Sequence, residues 1–158
     1  MHISYKSHHK HSYYLIQHGD LRGFDRNEVE VIGLIARYHR QAPPKKSHEG
    51  YGTLPGSLRR TVKVLSSFVR LAEGLDRSHA QIVSDLTVED RHDDLLLRVK
   101  ATGDAELEQW AAQRYLAPLE DALKRVVRVE MAHVPSAAVA GTVEDEGPAV
   151  PTPIRRRA

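Results

Sequence analysis

Ser7-His8-His9-Lys10-His11-Ser12-Tyr13-Tyr14-Leu15-Ile16 gathers three histidines directly ahead of an apolar run, and it opens the part of the chain whose reading decides the fold. Residues 8–18 read as a short helix with Tyr14, Leu15 and Ile16 turned inward. Gly19-Asp20-Leu21-Arg22-Gly23-Phe24 breaks it, because two glycines and an aspartate in so short a stretch make a turn. Asp25-Arg26-Asn27-Glu28 then has the form of a capping box, with Asp25 as N-cap and Glu28 at N3. The helix that follows, to about Arg40, is apolar at Val29, Val31, Ile32, Leu34, Ile35 and Ala36. That face is too wide for a surface helix and predicts a central one.

Working outward, Pro43-Pro44 ends the second helix, and residues 41–57 form a loop rich in Pro, Gly, Lys and Ser. Loops of this length are characteristically functional or mobile. A long helix is expected from 58 to 77, with its apolar stripe at Leu58, Val62, Leu65, Val69 and Ala72. The period then changes. Ile82, Leu86 and Val88, and again Leu95, Leu97 and Val99, alternate across the polar connection 89–94, which predicts an antiparallel hairpin. A helix over 105–124, anchored by Leu107, Trp110, Ala111, Tyr115 and Leu119, precedes a short strand at Val126, Val127 and Val129. Residues 132–158, rich in Pro, Ala, Gly and Val and ending in three arginines, read as a disordered tail. The fold class is therefore α+β and mainly helical: helices first, then a β-hairpin, a helix and a short strand.

The chain has 158 residues, enough for one domain, and 41% of them are hydrophobic. It has no cysteine, which excludes a disulfide framework and thiolate chemistry. No stretch approaches a membrane span, and the N-terminus lacks a signal pattern, so the cytoplasm is the expected location. The net charge of +2 is unevenly spread. Residues 22–77 carry eleven Lys or Arg against six Asp or Glu, whereas residues 84–133 carry seven against eleven. A basic N-terminal half suits an anionic ligand or an acidic partner surface, and equally a solvated face.

Three places invite chemistry. His8 and His11 share a helical face, while His9 points elsewhere, so a metal is open to this stretch only with ligands from other elements; the plain alternative is surface histidines at a helix end. His39, within Ala36-Arg37-Tyr38-His39-Arg40, lies in phase with Ile32 and Ile35 and is either a hydrogen-bonded core residue or a ligand. Arg37 and Arg40 beside it can hold phosphate or carboxylate bidentately. Asp76 extends the stripe of the third helix by one more step, and a carboxylate at a core-facing position needs a partner. Gly74 inside that helix costs about 1 kcal/mol relative to alanine and permits close approach of another element.

The segments His8–Ile16, Leu21-Arg22-Gly23-Phe24, Ala36–Arg40 with Pro43-Pro44-Lys45-Lys46, and Arg70-Leu71-Ala72-Glu73-Gly74-Leu75-Asp76-Arg77 together resemble consecutive stretches of one domain. It is the C-terminal helical domain of the exopolyphosphatase and guanosine pentaphosphate phosphatase family, itself similar to His-Asp metal-dependent phosphohydrolases. The resemblance covers about residues 2–131, making 1–131 a partial C-terminal domain. It implies His8, His39 and Asp76 as metal positions, with magnesium, manganese or zinc as the cofactor if this piece retains one. His9, Lys10 and His11 become flanking residues. It also implies Arg37, Arg40, Lys45, Lys46 and Arg77 as phosphate-binding residues. The family's His-Asp dyad would fall just upstream of Met1, and its ATPase-fold catalytic domains have no counterpart here. The resemblance thus implies a truncated piece and assigns no catalytic residue.

Three functions follow as expectations. In the first, the chain is an exopolyphosphatase-like domain, inactive alone, that binds polyphosphate or guanosine pentaphosphate. In the second, it is a metal-dependent phosphohydrolase whose site a partner chain completes, a second copy being one such partner. In the third, it is a structural or dimerisation module. None involves a membrane or specific nucleic-acid binding.

Overall fold

The computed structural model describes residues 8–40 and 42–134. Along the chain run α1 (His8–His18), α2 (Arg26–Tyr38), α3 (Gly56–Leu75), β1 (Val83–Asp90), β2 (Asp94–Ala101), α4 (Glu106–Leu123) and β3 (Val126–His133). The mainly helical α+β class is as the sequence predicts.

The capping box at the start of α2 is formed. Asp25 Oδ1 accepts from the amides of Asn27 and Glu28 at 2.7 and 2.9 Å, and Glu28 Oε2 accepts from the Asp25 amide at 2.8 Å. These contacts satisfy orphan N–H groups of the first turn and set where α2 begins. Against α2 lies α1, joined to it by Tyr13 donating to Glu30 (2.9 Å) and Gln17 Nε2 donating to the Val29 carbonyl (3.3 Å). Burial and the Glu30 bond push the Tyr13 phenol up to about 12, so it remains a donor throughout the neutral range.

Two apolar clusters organise the molecule. Val31, Leu34 and Tyr38 of α2 pack with Val62 of α3 and with Tyr51 and Leu54 from the connection between the two helices. That connection reads from sequence as a functional or mobile loop; its two buried side chains pin it to the core. The second cluster joins Leu71 and Leu75 of α3 with Leu97 and Val99 of β2, Ala112 and Leu119 of α4, and Val127 of β3. At the α3–α4 crossing Gly74 allows the close approach its position suggests: a Cβ there would lie 3.1 Å from both the Ala112 amide nitrogen and the Tyr115 ring.

The sheet has the order β1-β2-β3. β1 and β2 form the expected antiparallel hairpin, with Val88 opposite Leu97 and Leu86 opposite Val99. β3 runs parallel to β2, with Leu97 opposite Val129, so α4 is the crossover of a β-α-β unit. The other sheet face is charged and self-paired: Arg98 bridges Glu89 and Glu130, Lys100 meets Asp85, and Arg128 meets Asp94.

Several sequence expectations are corrected. Leu65, Val69 and Ala72 of the α3 stripe are exposed, and so is Phe68. α3 instead buries Val62, Ser66, Ser67, Arg70, Leu71, Gly74 and Leu75, because small residues let α2 and α4 approach on that side. Asp76, which continues the stripe, is consequently exposed rather than core-facing. Tyr14 and Leu15 of α1 face outward, since the contact with α2 is made by Tyr13 and Gln17. On α4, Leu107 and Trp110 are exposed, and Trp110 carries the Arg114 guanidinium over its ring at 4.9 Å. β3 extends through His133, past the start of the expected tail at 132; residues 135–158 lie outside the described residues. Among the described residues no helix is long and apolar enough to cross a membrane.

Candidate functional site

Two cavities meet at the C-terminal end of α2. The C-cap of that helix is His39, followed by Arg40. The chain is held there by Arg70, buried within α3, whose Nε donates to the Tyr38 carbonyl (2.6 Å) and whose NH2 donates to the carbonyls of Arg40 (3.3 Å) and Ala42 (2.8 Å). One fork thus satisfies carbonyls that a helix end leaves without partners. Burial draws the guanidinium pKa down, opposed by Tyr115 and Glu73.

The first cavity, about 630 Å³, is lined by His8, His39, Arg40, Glu73, Asp76 and His79 together with Val69 and Ala72. The three positions expected to hold a metal, His8, His39 and Asp76, therefore do come together on one cavity wall. His39 Nδ1 lies against the Ala36 carbonyl at 2.5 Å. A carbonyl only accepts, so Nδ1 carries the hydrogen and Nε2 of the neutral ring presents its lone pair. That lone pair meets His8 Nε2 at 3.1 Å.

Sequence reading missed Glu73. Its Oε1 pairs with Arg40 at 2.7 Å and with Arg77 at 3.8 Å, while Oε2 is buried without a hydrogen-bond partner among the described residues, 3.9 Å from His39 Nε2. The signal available was its spacing, one helical turn before Asp76. Zn–N bonds of about 2.0–2.1 Å place two imidazole nitrogens of one tetrahedral ion roughly 3.3 Å apart, so His8 and His39 fit as two ligands. The fit stops there. Among the described residues no group of three or more His, Asp or Glu side chains is arranged to hold a metal ion.

The second cavity, about 120 Å³, is lined by His9, Lys10, Arg37, Tyr38, Arg40, Ala42 and His48. Among the described residues no carboxylate lines it. His9 is 6% exposed, and its Nδ1 is buried without a partner among the described residues. Burial, and then the charges of His8, His39, Lys10 and Arg37, hold its pKa below the ordinary imidazole value. Arg37 stacks over Tyr13 and Tyr38 at 5.3 and 5.9 Å and has no ion pair among the described residues. His48 Nδ1 accepts from the Lys45 amide (3.3 Å) and from the Tyr38 hydroxyl (2.8 Å), which leaves its Nε2–H as a donor.

Of the five expected phosphate-binding residues, Arg37 and Arg40 line this cavity. Lys45 and Lys46 are exposed on the connection between α2 and α3, and Arg77 is held at Glu73; none of the three lines either cavity. His9, Lys10 and His48 were not anticipated as site residues. Lys10 is exposed on α1, and its charge beside three histidines was the one local signal.

A family model described as Ppx/GppA phosphatase, domain III, matches residues 1–116. The chain belongs to the Ppx/GppA phosphatase family. Within this Ppx/GppA domain the match takes in α1, α2, α3, the β1–β2 hairpin and the first part of α4, and both cavities lie inside it.

Proposed function

We propose that the chain is an exopolyphosphatase-type domain that binds polyphosphate or nucleotide phosphates without hydrolysing them on its own. The observation that supports this reading most is the second cavity, where Lys10, Arg37, Arg40 and two histidines converge and no carboxylate lines it among the described residues. Such a lining suits a multiply charged phosphate through charge-assisted hydrogen bonds. Arg40 is shared with Glu73, so Arg37 and Lys10 carry most of the uncompensated charge. Removing one charged donor costs about 1.5–3 kcal/mol, or roughly ten- to a hundredfold in affinity. Arg37→Gln and Lys10→Gln are therefore expected to weaken polyphosphate binding, measured by calorimetry at fixed salt, at least about tenfold for the arginine. Arg114→Gln, the same charge loss on α4, should change it less than about twofold, as expected of a screened surface charge. Equal losses for all three variants would reduce the binding to net charge, and absence of binding by the wild type would sink the reading.

A second reading is a metal-dependent phosphohydrolase whose centre is completed by donors from a partner chain. It is favoured by the separation of 3.1 Å between His8 and His39 Nε2 and by the unpartnered Glu73 Oε2. On this reading zinc or manganese binds stoichiometrically in equilibrium dialysis and is lost in His39→Ala. Failure to retain either metal at saturating concentration would dismiss it.

A further inference from the structure

Among the described residues Arg40 alone lines both cavities at the end of α2. Its ion-pair partner Glu73 lines the larger cavity and not the smaller, cationic one. We propose that Glu73 sets the affinity of the cationic cavity for phosphate by holding the Arg40 guanidinium. Glu73 is thus a positioning residue that couples one cavity to the other. This control rests on the phosphate-binding reading above and adds to it a residue outside the binding cavity.

The backbone at Arg40 is fixed, so only its side chain can shift between the two cavities. Buried Arg70 donates to the Tyr38 carbonyl (2.6 Å) on one side, to the Ala42 carbonyl (2.8 Å) on the other, and to the carbonyl of Arg40 itself (3.3 Å). The Arg40 side chain turns its Nε to Glu73 Oε1 at 2.7 Å, the length of a charge-assisted hydrogen bond. The two side chains are 23% and 18% exposed, so water and salt screen this pair less than an open surface pair. Glu73 is fixed as well. Arg77 stands 3.8 Å from the same oxygen, and Gly74, next in the chain, lies at the close crossing with Ala111, Ala112 and Tyr115 of α4.

The rest of the cationic lining has no such restraint. Lys10 and Arg37 have no ion pair among the described residues, so Glu73 is the negative charge tied to this cavity. A phosphate seated there competes with Glu73 for Arg40. Part of what Arg40 contributes to the phosphate is offset by what it gives up at Glu73. Removing the Glu73 charge restores that part. The coupling is reciprocal: a bound phosphate weakens the Arg40–Glu73 pair by the same factor.

A double-mutant cycle, read by calorimetry with tripolyphosphate at fixed salt, tests this. Glu73→Gln keeps the shape of the side chain and removes its charge. It should bind tripolyphosphate about fivefold more tightly than the wild type. Arg40→Gln should cost about threefold in the wild type and about fifteenfold in Glu73→Gln, where the guanidinium is released. With Arg40→Gln already present, Glu73→Gln should change affinity less than about twofold. Asp93→Asn, the same charge change on the exposed connection between β1 and β2, should also change it less than about twofold. Damage to the fold lowers affinity, so a gain that needs Arg40 separates positioning from mere support. Should Glu73→Gln fail to fold, Glu73→Asp draws the charge back by one methylene and should give a smaller gain in the same direction.

Unchanged or weaker binding by Glu73→Gln overturns the proposal while phosphate binding stands. An equal gain with and without Arg40 reduces Glu73 to a distant charge and also overturns it. No binding of tripolyphosphate by the wild type removes the phosphate-binding reading and this control together.

Discussion

Replacing Arg70 by alanine is expected to destabilise the domain by roughly 3 kcal/mol. Arg70 is 3% exposed and donates to three backbone carbonyls at the end of α2. Its removal leaves the Tyr38 carbonyl buried without a donor, at about 1–3 kcal/mol, exposes the part-buried Arg40 and Ala42 carbonyls to replacement by water, and opens a cavity between α2 and α3. The gain from no longer burying a charge offsets part of this, which is why the estimate stays below the sum. For a chain of this size the melting temperature should fall by roughly 6–12 °C. Arg70→Met keeps most of the volume and separates the terms: if it is as stable as the wild type, the hydrogen bonds contribute little. Arg70→Lys should recover only part of the loss, because a point ammonium cannot span three carbonyls as the guanidinium fork does. The effect reaches the site, since the held residues include Arg40 and flank His39.

Glu108→Gln is expected to cost about 1–3 kcal/mol at neutral pH, with an effect that fades in acid. Glu108 is fully buried on α4 and accepts from the Ser78 amide at 2.8 Å, tying the turn after α3 to α4. Burial alone would raise its pKa; the hydrogen bonds from Ser78 and from the start of α4 outweigh that and hold the carboxyl below the usual range. The sign follows from linkage. A carboxylate whose folded pKa is depressed contributes stability that is fully present above its unfolded pKa of about 4.3, and loses it as the pH falls through the folded value. The stability gap between wild type and Glu108→Gln, measured by thermal melts from neutral to acid pH, should therefore be widest near neutrality and narrow below about pH 4. A gap that stays constant across that range would mean Glu108 is not held as a carboxylate. The turn it anchors carries His79 at positive φ (56°) beside Asp76, so the same bond positions one wall of the larger cavity.

The two substitutions mark where sequence reading reached and where it stopped. Helix and strand positions are local consequences of periodicity and capping, and the Asp25–Glu28 box and the β1–β2 hairpin could be read directly. The resemblance implies His8, His39 and Asp76 as metal positions; all three line one cavity, though no group of ligands able to hold a metal is formed among the described residues. The direction each helix faces was not legible. Leu65, Val69 and Ala72 form a regular stripe, yet the buried face of α3 is made by Val62, Leu71 and Leu75 together with Ser66, Ser67, Gly74 and the polar Arg70. Periodicity counts apolar side chains, whereas helix packing also rewards small residues that let backbones approach.

By itself the sequence determined the family, the fold class and the order of elements. Those depend on neighbours in the chain and on motifs whose spacing survives unfolding. Only the tertiary structure decided that Glu73 joins His8, His39 and Asp76 in one cavity and that Arg70 holds the end of α2. It also decided that His9, read from sequence as a flanking residue, is buried and lines one cavity with His48 from a distant loop. These are contacts between residues far apart in sequence, made by desolvated polar groups whose partners no local pattern names.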